Sequence, residues 1–398
     1  MRFSSKVQKC GLSPMRKYHP YAVEAEKQGK TIYHLNIGQP DVITPPAFFE
    51  AVRNFEQPVL AYAPAPGIPV LIHAIQDYYD KLGMHFEESE ILITAGGSEA
   101  ITFALQCILD EGDEILIPEP FYPNYNTIVR TCGASIHPIP TTPEEGYHYA
   151  VRERIENGIN ERTRAIMVTN PGNPTGVVLT NEEMRMIVDI AREHNLFLIG
   201  DEAYREFVYN NEPLQSFGAF PEAAENVIIV DTVSKRFSAC GARIGCLISR
   251  NHELISHAIK YCQARLCVST LDQIGSASLY TVGPDYFATV RDEYKLRRDT
   301  VIRKLHEIPG VVCGSPGGAF YLMAYLPVDD TDKFQMFLLR EFDDHGDTVM
   351  FAPGEPFYTT PGMGKSEIRI AYVIEQKKIE RAVDLLALGI DAYNQKKR

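Results

Sequence analysis

The chain is short of positive charge. Its 39 Lys and Arg stand against 52 Asp and Glu, a formal net charge of −13 over 398 residues. That balance argues against nucleic acid and against an anionic membrane surface as partners. No apolar run approaches the ~20 residues that span a bilayer. The stretch Met1 to Tyr21 is polar and lacks the hydrophobic segment of a secretion signal. Eight cysteines, at 10, 107, 132, 240, 246, 262, 267 and 313, include no Cys-x-x-Cys, and no His pair lies near at ligand spacing. A zinc site is therefore not expected, and free thiols in a cytoplasmic protein are expected over disulfides. Internal repeats and low-complexity segments are also missing. An acidic protein that binds anionic molecules must do so through particular arginines, so individual arginines matter here.

What is present is ordinary globular composition, 45% hydrophobic and 23% charged, in a chain long enough for a large domain and a smaller one. Short β-branched runs predict strands at Ile91–Thr94, Glu114–Ile117, Ala134–Ile139, Ala165–Thr169, Leu196–Gly200, Val227–Val230 and Gly245–Ser249. Several are apolar on successive residues, the pattern of strands covered on both faces. Helical patterns such as Ser98–Leu109 and Glu182–His194 lie between them. The second follows Thr180-Asn181, a cap with acidic residues in the first turn. Alternating strands and helices predict an α/β domain with a mostly parallel seven-stranded sheet. From about residue 285 the character changes. Helical stretches at Asp285–Ile308, Thr331–Asp343 and Glu375–Asn394 frame strands near Gly318–Tyr325 and Glu367–Ala371, a smaller α+β domain. The expected division is 1–45 as an N-terminal arm and part of the small domain, 46–284 as the large domain, and 285–398 as the small one.

Four unusual segments each follow a predicted strand: Gly96-Gly97-Ser98, Asn170-Pro171-Gly172-Asn173-Pro174-Thr175-Gly176, Asp201-Glu202-Ala203-Tyr204, and Ser234-Lys235. Ligands of open α/β sheets bind beyond the carboxyl ends of the strands, so four strands deliver polar groups to one edge. Lys235, with hydroxyls at Thr232 and Ser234 before it and Arg243 eight residues after, suits a Schiff base beside a phosphate. Gly97 and Ser98 open a helix whose free N–H groups attract anions; the plainer reading is a strand-to-helix turn. Arg243 completes the phosphate cup or serves as a structural ion-pair residue. Asn173, on a loop stiffened by proline and glycine, can donate to a ligand oxygen. Asp201 beside an aromatic nitrogen would keep it protonated, and Tyr204 could reach the same ring's oxygen. Tyr122 either lies flat on a ring or is a core aromatic. Together these describe pyridoxal 5′-phosphate, an electron sink tuned by protein groups at its ring nitrogen and oxygen.

From about Leu35 onward the chain resembles a class I aminotransferase of the pyridoxal phosphate fold type I, within the class I/II family and its bacterial aspartate aminotransferases. The resemblance is carried by Asn36-Ile37-Gly38-Gln39-Pro40-Asp41, Tyr62 to Gly67, Gly96–Ala100, Asn170–Gly176, Asp201–Tyr204, Ser234–Gly245 and Arg369-Ile370-Ala371-Tyr372. It implies that Lys235 carries the cofactor and, once released, moves the substrate proton. Asp201 would pair with the ring nitrogen, Asn173 and Tyr204 with the ring oxygen, and Tyr122 would stack on the ring. Gly97, Ser98, Thr232, Ser234 and Arg243 would hold the phosphate, with Tyr62 reaching over from the second subunit of a homodimer with shared sites. Arg369 would grip the substrate α-carboxylate as a fork, near the Gly38 backbone.

Two departures stand out. Ser98 occupies a position where many aspartate-specific relatives carry a lysine that reads the distal carboxylate. The segment Gln263 to Thr270 looks shorter than usual and contains Arg265. Arg265, acting across the dimer interface, is expected to supply the missing cation; the alternative is that it pairs with a surface acid. The expected activity is transfer of an amino group from an L-amino acid, aspartate first and aromatic donors next, to a 2-oxo acid, 2-oxoglutarate first, by ping-pong half-reactions. Carbon–sulfur β-elimination on the same fold is the alternative. A pyridoxal-phosphate-sensing regulator is the third reading; it disagrees with the acidic charge and leaves no room before Leu35 for a DNA-binding domain.

Overall fold

Seven strands form the central sheet of the computed structural model, which describes residues 1–209 and 215–397. Across the sheet the order is Ile91–Thr94, Gly245–Ile248, Val227–Thr232, Phe197–Asp201, Thr163–Thr169, Glu114–Pro118 and Ser135–Ile139. The last five pair in parallel, and Gly245–Ile248 is antiparallel to both of its neighbours. Ile91–Thr94 therefore points the same way as the parallel set, and its carboxyl end shares their edge. The mostly parallel seven-stranded sheet expected from the sequence is present, with strand ends displaced by a residue or two.

Both faces of the sheet are covered, which is why its strands are apolar on successive residues. Val227 and Ile229 enter one core with Ile166, Leu198 and the helix Asn181–Glu193; Ile228 and Val230 enter the other with Ile115, Met167 and the helix Gly97–Ile108. Burying one such side chain fully contributes about 1.5–3 kcal/mol. The Asn181–Glu193 helix begins at the expected cap. The Thr180 hydroxyl accepts from the Glu183 N–H at 3.2 Å, and the Glu183 carboxylate accepts from the Thr180 N–H at 2.8 Å. Such a reciprocal cap stabilises by about 1 kcal/mol.

The remaining sheets lie in the C-terminal third and the N-terminal segment. Ala352–Pro353, Glu367–Ala371, Tyr321–Tyr325 and Val312–Cys313 form a four-stranded antiparallel sheet. It shares a core with the helices Pro284–His306, Thr331–Arg340 and Gln376–Lys397 through Val301, Phe334, Ile368, Ile370 and Leu386. The strand expected from Gly318 starts only at Tyr321, because Ala319 takes a left-handed conformation (φ 56°) that interrupts extended backbone. Thr31–His34 pairs in parallel with Asp347–Met350, four residues each, which brings the N-terminal segment against the C-terminal third. All eight cysteines are free thiols. No described helix is long and apolar enough to cross a membrane.

Candidate active site

The carboxyl ends of four strands (at Thr94, Thr169, Asp201 and Thr232) open onto one cavity of 390 Å³. Lys235, Asp201, Asn173, Tyr204, Tyr122, Arg243 and Arg369 all line it, together with Gly38, Gly97, Ser98, Thr232 and Ser234. Residues scattered over more than 300 positions of sequence converge there because the parallel strands end together and Arg369 of the strand Glu367–Ala371 lines the same cavity.

At one end is a corner built for an anion. Gly96 adopts φ 79° as the cap of the Gly97–Ile108 helix, and a Cβ there would overlap the Arg243 guanidinium. Glycine is thus required twice, for the left-handed turn and for the close approach. Arg243 donates to the carbonyls of Cys240 (3.1 Å) and Ala95 (3.3 Å) and pairs with no carboxylate among the described residues, so the structural ion-pair reading fails. Thr232 Oγ1 lies 2.8 Å from Ser234 Oγ. Helix N–H groups, two hydroxyls and a guanidinium without an acid partner among the described residues converge, the donor set that a phosphate takes.

In the middle sits Asp201, buried at the end of its strand. Oδ2 accepts from the Tyr125 hydroxyl at 2.6 Å and Oδ1 from the Ala203 N–H at 3.2 Å. Burial pushes its carboxyl above the usual range, against the opposing pull of those two donors. No cation hydrogen-bonds it. A protonated ring nitrogen is the partner that would reverse that cost. On the other side, Asn173 Nδ2 donates to the Tyr204 hydroxyl at 3.2 Å, and Tyr204 stays a neutral phenol because burial holds its pKa well above the ordinary value. The Lys235 amine donates to the Gly38 carbonyl at 2.8 Å. Anion corner, buried acid, paired amide and phenol, and a cavity-facing amine are groups that could hold pyridoxal phosphate.

Arg369 closes the other end. It is 2% exposed, with Nη1 donating to Asn173 Oδ1 (3.1 Å) and Nη2 to the Asn36 carbonyl (2.7 Å). The Tyr321 and Phe357 rings flank it at 4.6 and 5.1 Å, and Nε has no partner. Neither contact on the guanidinium is a carboxylate, so a buried positive charge faces the cavity uncompensated, which invites an anionic ligand.

Two expected residues lie elsewhere. Tyr62 is 82% exposed and outside its own chain's cavity. Arg265 also stands outside. It ends the helix His252–Arg265, with Nε 3.8 Å from Glu99 and Nη2 donating to the Ile93 carbonyl at 3.2 Å. Within one chain it therefore meets an acid rather than the cavity; that acid, Glu99, sits in the first turn of the Gly97–Ile108 helix. Other residues went unnoticed in the sequence. Tyr125 carried a signal, one helical turn after Tyr122. Tyr321, which meets the Tyr204 hydroxyl at 3.1 Å, had none, and Asn36 stood in a family motif without an assigned role. Among the described residues no group of His, Cys, Asp and Glu is placed to hold a metal ion.

Comparison with known proteins agrees with this arrangement. The family model for aminotransferase class I and II matches residues 30–386. A probable N-acetyl-LL-diaminopimelate aminotransferase of Bacillus subtilis (strain 168) is 31% identical over 97% of this chain and 95% of its own length. A probable aspartate/prephenate aminotransferase of Thermus aquaticus is 32% identical over 93% and 94%. Among solved structures, the aspartate aminotransferase from Thermus thermophilus with maleate superposes with a TM-score of 0.89 at 29% identity, over 98% of this chain and 100% of that one.

Proposed function

The chain belongs to the class I and II aminotransferases, enzymes that depend on pyridoxal phosphate, and from that membership we propose the roles of its residues and its substrates. The observation that carries the proposal is the convergence of Lys235, Asp201, Asn173, Tyr204, Arg243 and Arg369 on one cavity. When bound, the cofactor supplies an electron sink for negative charge developing at the substrate Cα. Arg243, Thr232, Ser234 and the N–H groups at Gly97 and Ser98 hold its phosphate. Asp201 keeps the ring nitrogen protonated, and Tyr125 orients Asp201. Asn173 and Tyr204 would contact the ring oxygen, and Tyr122 would stack on the ring. The Arg369 fork holds the α-carboxylate, with Asn36 and Asn173 fixing its plane. The Lys235 amine would hold the cofactor and serve as the base and acid that moves the substrate proton at Cα. Its hydrogen bond to the Gly38 carbonyl at 2.8 Å, on the lining of the same cavity, supports that role.

The donor we propose is L-aspartate, with aromatic amino acids next, and the acceptor is 2-oxoglutarate. The names of relatives support aspartate, and their spread supports a broad side-chain range. We also propose a homodimer in which Tyr62 completes the phosphate corner of the second copy. Exposed Val59 and Leu60 beside Tyr62 support a covered surface there. The free thiols suit the reducing cytoplasm as the place of action. The test is the absorption spectrum of the holoenzyme during addition of L-aspartate without acceptor. Conversion of the cofactor band, reversed by 2-oxoglutarate, is expected. A band indifferent to aspartate but responsive to an aromatic amino acid would replace the donor; one indifferent to every amino acid would refute transamination.

A further inference from the structure

Four cations and one carboxylate line the cavity: Arg16, Lys235, Arg243 and Arg369 against Asp201. On the functional reading above, on which this inference rests, each charge but one has a counterpart. Arg243 faces the phosphate, Lys235 carries the cofactor, Asp201 faces the ring nitrogen and Arg369 takes the α-carboxylate. Arg16 is left over. Its side chain makes no hydrogen bond and no ion pair among the described residues, although the protein is acidic overall and most of its arginines find carboxylates.

The backbone around Arg16 is anchored, which makes its place in the cavity wall a built feature. The turn Pro14–Arg16 is held on one side by Asn36, whose Nδ2 donates to the Met15 carbonyl at 3.5 Å. The same Asn36 carbonyl accepts from Arg369 at 2.7 Å. On the other side, Lys17 pairs with Asp332 at 2.5 Å, and the Tyr18 hydroxyl binds the same carboxylate. Tyr18 is 2% exposed. An exposed arginine thus projects from a pinned turn, and the pin runs through the residue that orients the α-carboxylate arginine.

We propose that Arg16 is the specificity-determining cation for a second, distal carboxylate on the substrate, within the same chain, and that Arg265 has no such role. The chemical class selected is the C4 and C5 dicarboxylates, amino or oxo. Ser98 lines the same cavity without a charge, and Arg265 lies outside it with Nε 3.8 Å from Glu99. A guanidinium suits the task because its planar fork can take both carboxylate oxygens. The coupling through Asn36 means that a ligand spanning Arg369 and Arg16 ties the N-terminal turn to the strand Glu367–Ala371, so a dicarboxylate would hold that turn against the cavity more firmly than a monocarboxylate.

The test compares maleate, a non-reacting dicarboxylate, with butyrate on the holoenzyme by calorimetry. Arg16→Gln is expected to weaken maleate ten- to a hundredfold more than butyrate, the worth of a charge-assisted pair. Arg16→Lys should recover much of the preference, because the point charge survives. Arg265→Ala should leave the maleate-to-butyrate ratio within about threefold of wild type. An unchanged ratio in Arg16→Gln, or a collapsed ratio in Arg265→Ala alone, would overturn the assignment. The transaminase reading fails separately, by a wild-type protein whose cofactor band responds to no amino donor.

Discussion

Replacing Asp201 by asparagine separates the two things this buried acid does, because its cost and its use appear in different states of the protein. Opposite charges ~4 Å apart interact by about 4 kcal/mol at an effective dielectric near 20, an upper guide equal to roughly three pKa units at the ring nitrogen. A neutral amide forfeits that, so the half-reaction with an amino donor should slow about a thousandfold. The apoprotein should behave otherwise. Burial raises the folded pKa of Asp201 above its unfolded value of ~3.9. Its contribution to stability is therefore complete below about pH 4 and is lost as pH rises through the folded pKa. Above its folded pKa the apo wild type carries an ionised, buried carboxylate supported only by Tyr125 and Ala203. Asparagine removes the charge but can accept only one of those donors, a loss of about 1 kcal/mol. The two effects oppose each other, and apo Asp201→Asn should melt within about 3 °C of apo wild type at pH 7. Lowering the pH through the folded pKa should favour wild type, whose carboxyl then becomes neutral. Stopped-flow absorbance of the half-reaction and calorimetric melting of the apo forms measure the two quantities. A half-reaction slowed less than tenfold, or an apo variant destabilised by more than about 10 °C, would refute the reasoning.

The other outcomes are more direct. Lys235→Ala should abolish turnover; borohydride reduction should add the cofactor mass to wild type and leave the variant unlabelled by mass spectrometry. Arg369→Lys should raise KM for amino and oxo acids alike by about tenfold or more, because Asn173 and Asn36 are placed to orient a planar fork and not an ammonium. Tyr125→Phe removes the 2.6 Å hydroxyl contact to Asp201 and should slow the half-reaction about tenfold without moving KM, which steady-state and transient kinetics together would separate. Gly96→Ala places a Cβ against the Arg243 guanidinium at a positive φ, so equilibrium dialysis should show cofactor binding weakened at least tenfold, with a lower melting temperature of the apoprotein from the strained turn.

Much of this protein was legible in its sequence where local rules act alone. Val227–Val230 reads as a strand because both its faces must be dry, and Thr180 reads as a cap because Glu183 follows at the spacing that closes the box. Lys235, Asp201, Asn173 and Gly97 could be grouped because each follows a strand, and parallel strands end along one edge. Short strands without an apolar run, such as Thr31–His34, escape that logic, since their pairing partner lies more than 300 residues away and only tertiary contact makes them strands.

Position relative to the cavity is the other quantity that no spacing encodes. Arg265 and Arg16 are both lone arginines in unremarkable surroundings. The fold sets the first beside Glu99 and the second in the cavity wall, on a turn held by Asn36 and Asp332. The sequence by itself determined the sheet and the set of polar residues gathered at its carboxyl edge, because those rest on residue types at the ends of recognisable elements. Only the tertiary structure decided which arginine remains unpaired and where it points, because ion pairing depends on distances between segments remote in sequence, and a carboxylate a few ångströms away changes what an arginine can do.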